Sequence, residues 1–277
     1  MNFNRPKVMG VLNVTPDSFS DGGQYQELEA ALDHARVLQI AGADVIDVGG
    51  ESTRPGAERV GAAEEQRRVL PIIAAIVDRL GAAVSIDTMN SETARAAVAA
   101  GATIINDVSG GLADPGMFSV AADTGCAIVI SHWRGFSDQM DPLNEYADVA
   151  KEVAAELRER VAAAIQAGVK REQIIIDPGL GFAKDMKQNW QLVARLDELE
   201  KLELPILVGA SRKRFIAGVL EPDEPSAATN ERRDLATAVL TALLLQRKVW
   251  GVRVHNVVAT VDAIEIVAAL RTAEKGE

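Results

Sequence analysis

The feature that most constrains the fold is an alternation of short apolar runs with helix-like segments, repeated eight times along the 277 residues. The runs are rich in β-branched residues, which is typical of strands buried in a parallel sheet, and the segments between them have helical periodicity. The predicted strands are VMGVLNV, ADVIDVGG, AAVSIDT, TIINDVS, CAIVISHW, QIIIDPG, PILVGAS and WGVRVHN. Eight strand–helix units in a chain of this length predict a (β/α)8 TIM barrel, a single domain over residues 1–277.

An open, doubly wound sheet is the main alternative to the barrel. That fold normally carries a G-x-G-x-x-G turn after an early strand, and this sequence has none. The proline-rich insertion EPDEPSAATNERRD, residues 221–234, interrupts the pattern after the seventh strand and is predicted to be a mobile loop.

Composition narrows the possible partners and the compartment. A net charge of −11 is opposite to the basic surface that binds nucleic acid, so we expect no nucleic-acid partner. No apolar segment approaches the roughly 20 residues that span a bilayer, and the first ten residues lack the apolar core of a signal peptide. A single cysteine, Cys126, allows no internal disulfide. We therefore expect a cytoplasmic protein without a membrane partner.

Polar side chains stand at the ends of all eight predicted strands. Active sites of TIM barrels lie at the carboxyl ends of the strands, so these residues are site candidates: Asn13, Asp47, Asp87, Asn106, His132, Asp177, Ser211 with Lys213, and Arg253 with His255. Two have alternative interpretations. Asp177 precedes Pro-Gly and could merely start a turn without any role in a site. His132 could be either a packed residue or part of a pocket wall.

The candidates divide by charge into two groups. Arg253 and His255 lie two residues apart and share one face of the last strand, which predicts an anion site with Lys213, Arg54, Arg212 and Arg214. The second group contains Asp87, Asn106 and Asp177, whose oxygens suit a flat heterocycle with several N–H donors. We expect the two groups on opposite sides of the barrel mouth.

Any metal ion in this protein should be a hard cation. The chain has three scattered histidines and one cysteine, which argues against a zinc cluster. A hard cation would be held by oxygen atoms and by a ligand phosphate, and Mg²⁺ is the natural candidate.

Seven motifs in order, MGVLNVTPDSFSDGG, DVGGESTRPGA, VSIDT, INDVSGG, DPGLGFAK, VGASRKRF and GVRVH, resemble the dihydropteroate synthases from Val8 to Val267. The resemblance implies a transferase of folate biosynthesis. This family joins 6-hydroxymethyl-7,8-dihydropterin pyrophosphate to p-aminobenzoate by an SN1-like displacement and is the target of sulfonamides. It also implies a homodimer built through barrel helices.

The resemblance also implies a role for each matching residue. The pterin contacts would be Asp87, Asn106, Asp177 and Lys213. The pyrophosphate contacts would be Asn13, acting through Mg²⁺, together with Arg54, Arg253 and His255. The p-aminobenzoate contacts would be Phe19, Thr53, Pro55, Phe182 and Ser211. The catalytic residues would be Asp87, Lys213, Arg253 and His255, with Asp87 opposite the cationic pterin methylene.

Two positions depart from the family pattern, and two other functions remain open. Ser131 stands where members often have Met, and Asn256 where they often have Asp, so the local geometry of the pterin pocket and the anion site is in question. A pterin-dependent methyltransferase of related fold should lack the Arg54–Pro55 turn, Lys213 and the RVH strand. A non-catalytic pterin-binding paralogue should have lost residues of the anion site or of the loops.

Overall fold

The computed structural model describes residues 5–14, 23–51, 60–136 and 143–274, and for residues 23–25 only the backbone. The strands are β1 (Lys7–Asn13), β2 (Val45–Gly49), β3 (Val84–Asp87), β4 (Ile104–Asp107), β5 (Ala127–Ser131), β6 (Ile174–Asp177), β7 (Leu207–Val208) and β8 (Gly251–Val254). They form one parallel sheet in the order β6-β5-β4-β3-β2-β1-β8-β7. A parallel bridge between Ile176 and Ile206 joins its two edges. The predicted (β/α)8 TIM barrel is confirmed.

Helices cover the outside of this barrel. They are α1 (Gly23–Ile40), α2 (Ala62–Leu80), α3 (Ser91–Ala99), α4 (Met117–Thr124), α5 (Val149–Gln166), α6 (Met186–Ala194), α7 (Asp197–Glu200), α8 (Arg214–Leu220), α9 (Asn230–Leu244) and α10 (Val257–Glu274). Asn90 and Asp148 cap α3 and α5 by accepting hydrogen bonds from amides of the first turn. No described helix is long and apolar enough to cross a membrane.

The prediction of a loop over residues 221–234 is wrong for part of the segment, which contains a 3₁₀ turn, Pro225–Ala227, and the first turn of α9. Side chains at the start of α9 hold it: Arg233 donates to the carbonyl of Pro225, and Asp234 accepts two hydrogen bonds from Arg212. Arg233 and Asp234, whose charges suggest a solvated loop, therefore form hydrogen bonds within the folded chain.

The inside of the barrel changes from apolar to polar along the strands. Its amino-terminal half is filled by a cluster of Met9, Val45, Ile104, Val129, Ile175 and Leu207. Side chains alternate along a strand, so the residues two positions later face the same lumen nearer its carboxyl end. Those positions include Asp47, Asn106 and Asp177, and the apolar layer therefore forms the floor beneath the polar strand ends.

Candidate active site

Asp47 is the central acceptor of the lumen. Its side chain is fully buried, and its Oδ2 accepts from Asn106 Nδ2 over 3.1 Å and from Arg253 Nε over 2.6 Å. Its Oδ1 and the neighbouring Ser85 hydroxyl have no hydrogen-bond partner among the residues with defined positions. Because buried acceptors are rarely left unmet, this depth of the barrel can take further donors.

Arg253 also reaches Asp87, since its Nη2 donates to Asp87 Oδ2 over 2.7 Å. One guanidinium thus serves two buried carboxylates. Burial, together with the negative charges of Asp47 and Glu65, outweighs Arg253 and raises the pKa of Asp87 to about 7. Burial alone would lower the pKa of Arg253, but the neighbouring carboxylates have the larger effect and raise the pKa of the guanidinium. The expected separation of cations from acceptors is therefore wrong for Arg253.

Asp177 forms a turn and also contributes to the lumen. Its Oδ1 accepts from the amide of Gly179 over 2.6 Å, as the Asp-Pro-Gly sequence predicts. Its Oδ2 faces β7: a Cβ placed on Gly209 would lie 3.5 Å from that oxygen. Burial raises the pKa of Asp177, while the Gly179 amide and the charge of Lys213 oppose this effect. The turn interpretation and the site interpretation both hold.

Glycines lie next to two of these carboxylates. A Cβ placed on Gly49 of β2 would lie 3.5 Å from Asp87 Oδ2, the same separation as between a Cβ on Gly209 and Asp177 Oδ2. A glycine inside a strand often marks the close approach of another group. Asp87 and Asp177 therefore each face a backbone position that carries no side chain.

Lys213 lies close to Asp87 and Asp177 and contacts Phe182. Its Nζ is 4.0 Å from the centroid of the Phe182 ring, a cation–π distance. Burial lowers the pKa of Lys213 to about 8, although Asp177 and Asp87 favour its charged form. A lysine with this pKa can change charge within the working range of an enzyme.

Ser211 and His255 meet at the mouth of the barrel. The Ser211 hydroxyl lies 2.9 Å from His255 Nδ1 and also accepts from the His255 amide over 3.2 Å. The serine thereby orients the imidazole. Arg212 lies between Ser211 and Lys213, but its guanidinium is taken by Asp234. Its assignment to the anion site is therefore wrong, and Arg214, in the first turn of α8, is exposed.

His132 lies outside the lumen. It is 2% exposed, and its Nε2 is 2.9 Å from Glu156 Oε2 on α5. Burial lowers the pKa of His132 to about 4, so the imidazole is neutral at pH 7. Of the two interpretations of His132, the packed residue is therefore correct: the imidazole packs against α5 and does not form a wall of the lumen.

The remaining candidates lie either at the strand ends of the barrel or outside the described residues. Asn13 ends β1, is exposed and shares the lumen face of Met9. Phe19, Thr53, Arg54 and Pro55 lie outside the described residues. Asn256 caps α10 by accepting from the amide of Ala259, a role that an aspartate would also fill. Ser131 is buried at the end of β5.

Three features of the site have only weak signals in the sequence. Asp47 is recognisable as a strand end, but its partners lie 59 and 206 residues away along the chain. Gly49 and Gly209 each end an apolar run, where glycine is common as a turn residue. Lys184 closes the DPGLGFAK motif and binds His132 behind the lumen, and nothing in its spacing indicates that contact.

Comparisons with known proteins agree on one family. The family model described as "Pterin binding enzyme" matches residues 9–255. The dihydropteroate synthase of Mycobacterium leprae is 46% identical over 95% of this chain and 93% of its own length. Two structures of the dihydropteroate synthase of Xanthomonas albilineans superpose with TM-scores of 0.88 and 0.85, at 44% and 41% identity. Each covers 98% of this chain and 95% of the other, and they were solved with 4-aminobenzoic acid and with 7,8-dihydropteroate.

The match extends over almost the whole chain, including every strand that carries a lumen residue. Identity above 40% with nearly complete coverage of both partners excludes a likeness of fold alone. The chain therefore belongs to the dihydropteroate synthases, which are transferases of the pterin-binding enzyme family.

Proposed function

We propose that the protein condenses 6-hydroxymethyl-7,8-dihydropterin pyrophosphate with p-aminobenzoate to give dihydropteroate and pyrophosphate. The observation that carries this proposal is the group of buried acceptors at the carboxyl ends of the strands, which contains Asp87, Asn106 and Asp177. A pterin is flat and presents several N–H donors along one edge. These carboxylate and amide oxygens, with Lys213 close to Asp87 and Asp177, offer acceptors and donors matching that edge.

The p-aminobenzoate subsite is proposed beside the pterin acceptors, at Phe182 and Ser211. Phe182 and Ser211 are both nearly buried there, and the Phe182 ring is held against Lys213. An aromatic amine can pack on Phe182 while its amino group faces the pterin methylene. The proposed subsite also includes Phe19, Thr53 and Pro55, which lie outside the described residues. A sulfonamide carries the same aminophenyl group, so we expect it to compete with p-aminobenzoate here.

The pyrophosphate subsite is proposed around Arg253 and His255, with Arg54 as a further cation. Mg²⁺ fits at Asn13, which exposes one amide at the rim, because Mg²⁺ commonly takes one or two protein ligands and completes its shell with phosphate and water. Bound there, it would neutralise charge on the departing pyrophosphate. The histidine, oriented by Ser211, donates to the same anion.

The displacement is proposed to be SN1-like. The bond between the pterin methylene and the pyrophosphate oxygen breaks, and its electron pair leaves with pyrophosphate. The amine nitrogen then attacks the cationic methylene, and one of its protons passes to water. Arg253 stabilises the leaving anion, whereas Asp87 stabilises the cation.

One assay separates the synthase from the other candidate functions. The protein is incubated with the pterin pyrophosphate, Mg²⁺ and p-aminobenzoate, and released pyrophosphate is measured. Release that depends on the amine supports a synthase, whereas binding without release would indicate a non-catalytic paralogue or a methyltransferase. Scrambling of ¹⁸O from the bridging to a non-bridging position without net turnover would support the SN1 route.

The pH dependence of kcat/KM for the pterin substrate should be bell-shaped. The rising limb should lie near pH 7, as Asp87 loses its proton and becomes an acceptor, and the falling limb near pH 8, as Lys213 loses its charge. The Lys213→Arg variant keeps its charge at every accessible pH, so its falling limb should disappear. A falling limb that persists in this variant would contradict the assignment to Lys213.

We propose that two copies associate through α9 and α10. Leu235, Val239 and Leu243 follow one another at four-residue intervals on α9, and Val258, Ile266 and Leu270 form a similar stripe on α10. Each is more than half exposed, and the two helices pack side by side. Exposed apolar surface of this kind commonly marks an interface.

Replacement of Val239 by glutamate should therefore convert a dimer into a monomer, because a charge would be buried in the apolar interface. Light scattering coupled to gel filtration measures the mass. Ile40→Glu, at an exposed apolar position on α1, is the matched control and should leave the dimer intact. A Val239→Glu protein that remains dimeric would place the interface elsewhere.

A further inference from the structure

A partly buried lysine lies behind the loop that carries Phe182. The ammonium of Lys184 donates to the carbonyls of Gly179 and Phe182, each at 3.0 Å, and contacts His132 Nδ1 at 2.9 Å. All three hydrogens of the ammonium are thus used. Two of the bonds go to the backbone of the loop between β6 and α6, on the side away from the lumen.

The carboxylate of Glu156 determines which ring nitrogen of His132 carries the proton. A carboxylate only accepts, so His132 Nε2 donates to Glu156 Oε2 over 2.9 Å, and the Nδ1 of the neutral imidazole accepts from Lys184. Glu156 is in turn held by Arg134, whose Nε lies 3.1 Å from the same oxygen. A chain of polar contacts therefore runs from α5 through His132 to the loop.

Other groups hold the rest of the loop. Asn189 accepts from the amide of Gly181 over 2.7 Å, and the Tyr146 hydroxyl donates to the carbonyl of Ala183 over 3.0 Å. Ala183 has a φ of 46°, in the left-handed region that disfavours residues with a Cβ. The loop is thus kept in an unfavourable conformation by its surroundings, and Lys184 provides the charged contacts among them.

We infer that Lys184 is a positioning residue: through the carbonyls of Gly179 and Phe182 it places the Phe182 ring against Lys213 and so shapes the p-aminobenzoate subsite. The inference rests on the proposed function, which assigns Phe182 to that substrate. Among the proposed pterin contacts, Asp87 and Asn106 lie on β3 and β4, whereas Asp177 is joined to the loop by the Gly179 amide. That hydrogen bond does not involve the Lys184 side chain, so we expect the effect to be much larger for p-aminobenzoate than for the pterin.

The test is Lys184→Met, which retains the length of the side chain and removes its charge and donors. We expect KM for p-aminobenzoate to rise about tenfold, because an aromatic contact moved by a fraction of an ångström loses much of its contribution. KM for the pterin pyrophosphate, and its affinity measured by calorimetry, should stay within about twofold of wild type. Lys187→Met, at an exposed lysine on α6, is the matched control and should change neither value.

A second variant tests the inference independently, in case Lys184→Met fails to fold. His132→Phe keeps a ring of similar shape but removes the imidazole acceptor, and should show the same selective rise in KM, with the double variant no worse than Lys184→Met, since both act through one contact. Equal rises in both KM values, or an unchanged KM for p-aminobenzoate, would overturn the inference. An inactive wild-type protein would instead overturn the proposed function.

Discussion

Replacement of Asp87 by asparagine should lower kcat by about a thousandfold. A carboxylate roughly 4 Å from a unit positive charge contributes about 4 kcal/mol at an effective dielectric constant near 20, which is about three powers of ten in rate. Asparagine keeps the shape and one acceptor oxygen but lacks the charge. Single-turnover measurement of dihydropteroate formation, with both substrates saturating, isolates this step from binding.

The stability of the same variant separates catalysis from folding. Burial raises the pKa of Asp87 to about 7 from an ordinary value near 3.8, so between these values the folded state binds more protons than the unfolded state. Wild-type stability should therefore fall, relative to the variant, as the pH rises from about 4 to 7. At pH 8 Asp87→Asn should be at least as stable as wild type in urea. A variant with near-normal turnover would contradict the role of Asp87 in stabilising the cation.

The barrel could be predicted from the sequence because eight strand–helix units are a strong repeated signal. The strand-end residues followed from that fold, since parallel strands bring their carboxyl ends together. Which face of each strand points inward could not be predicted, because parallel strands are apolar on both faces. His132 shows the consequence: it follows β5 by one residue, and Val129 already faces the lumen, so the imidazole points outward.

The ion pairs of Arg253 with Asp47 and Asp87 could not be predicted from the sequence either. The cationic pattern of the last strand suggested an anion site, but the partners of Arg253 lie 166 and 206 residues away on β3 and β2. Only the closure of the barrel brings β8 next to β1 and the guanidinium within reach of both carboxylates. A charged ligand site and a structural ion pair have the same local sequence.

Replacement of Arg253 by methionine should have the largest combined effect on stability and activity. It would leave Asp47, which is fully buried, and Asp87 without their cation, and breaking a buried ion pair in this way costs about 3–5 kcal/mol. Urea unfolding at pH 8 measures the change. Arg79→Met removes a similar two-bond contact with Glu29 on the surface, and its unfolding midpoint should shift far less.

A double variant then separates the structural role of Arg253 from its role toward pyrophosphate. Asp47→Asn removes one of the two charges that Arg253→Met leaves unpaired, so the double variant should regain about 2 kcal/mol of the lost stability. Its activity should remain at least a hundredfold below wild type, because the cation facing the leaving group is still missing. If activity returned with stability, Arg253 would serve only to neutralise the carboxylates, and the anion site would depend on His255 and Arg54.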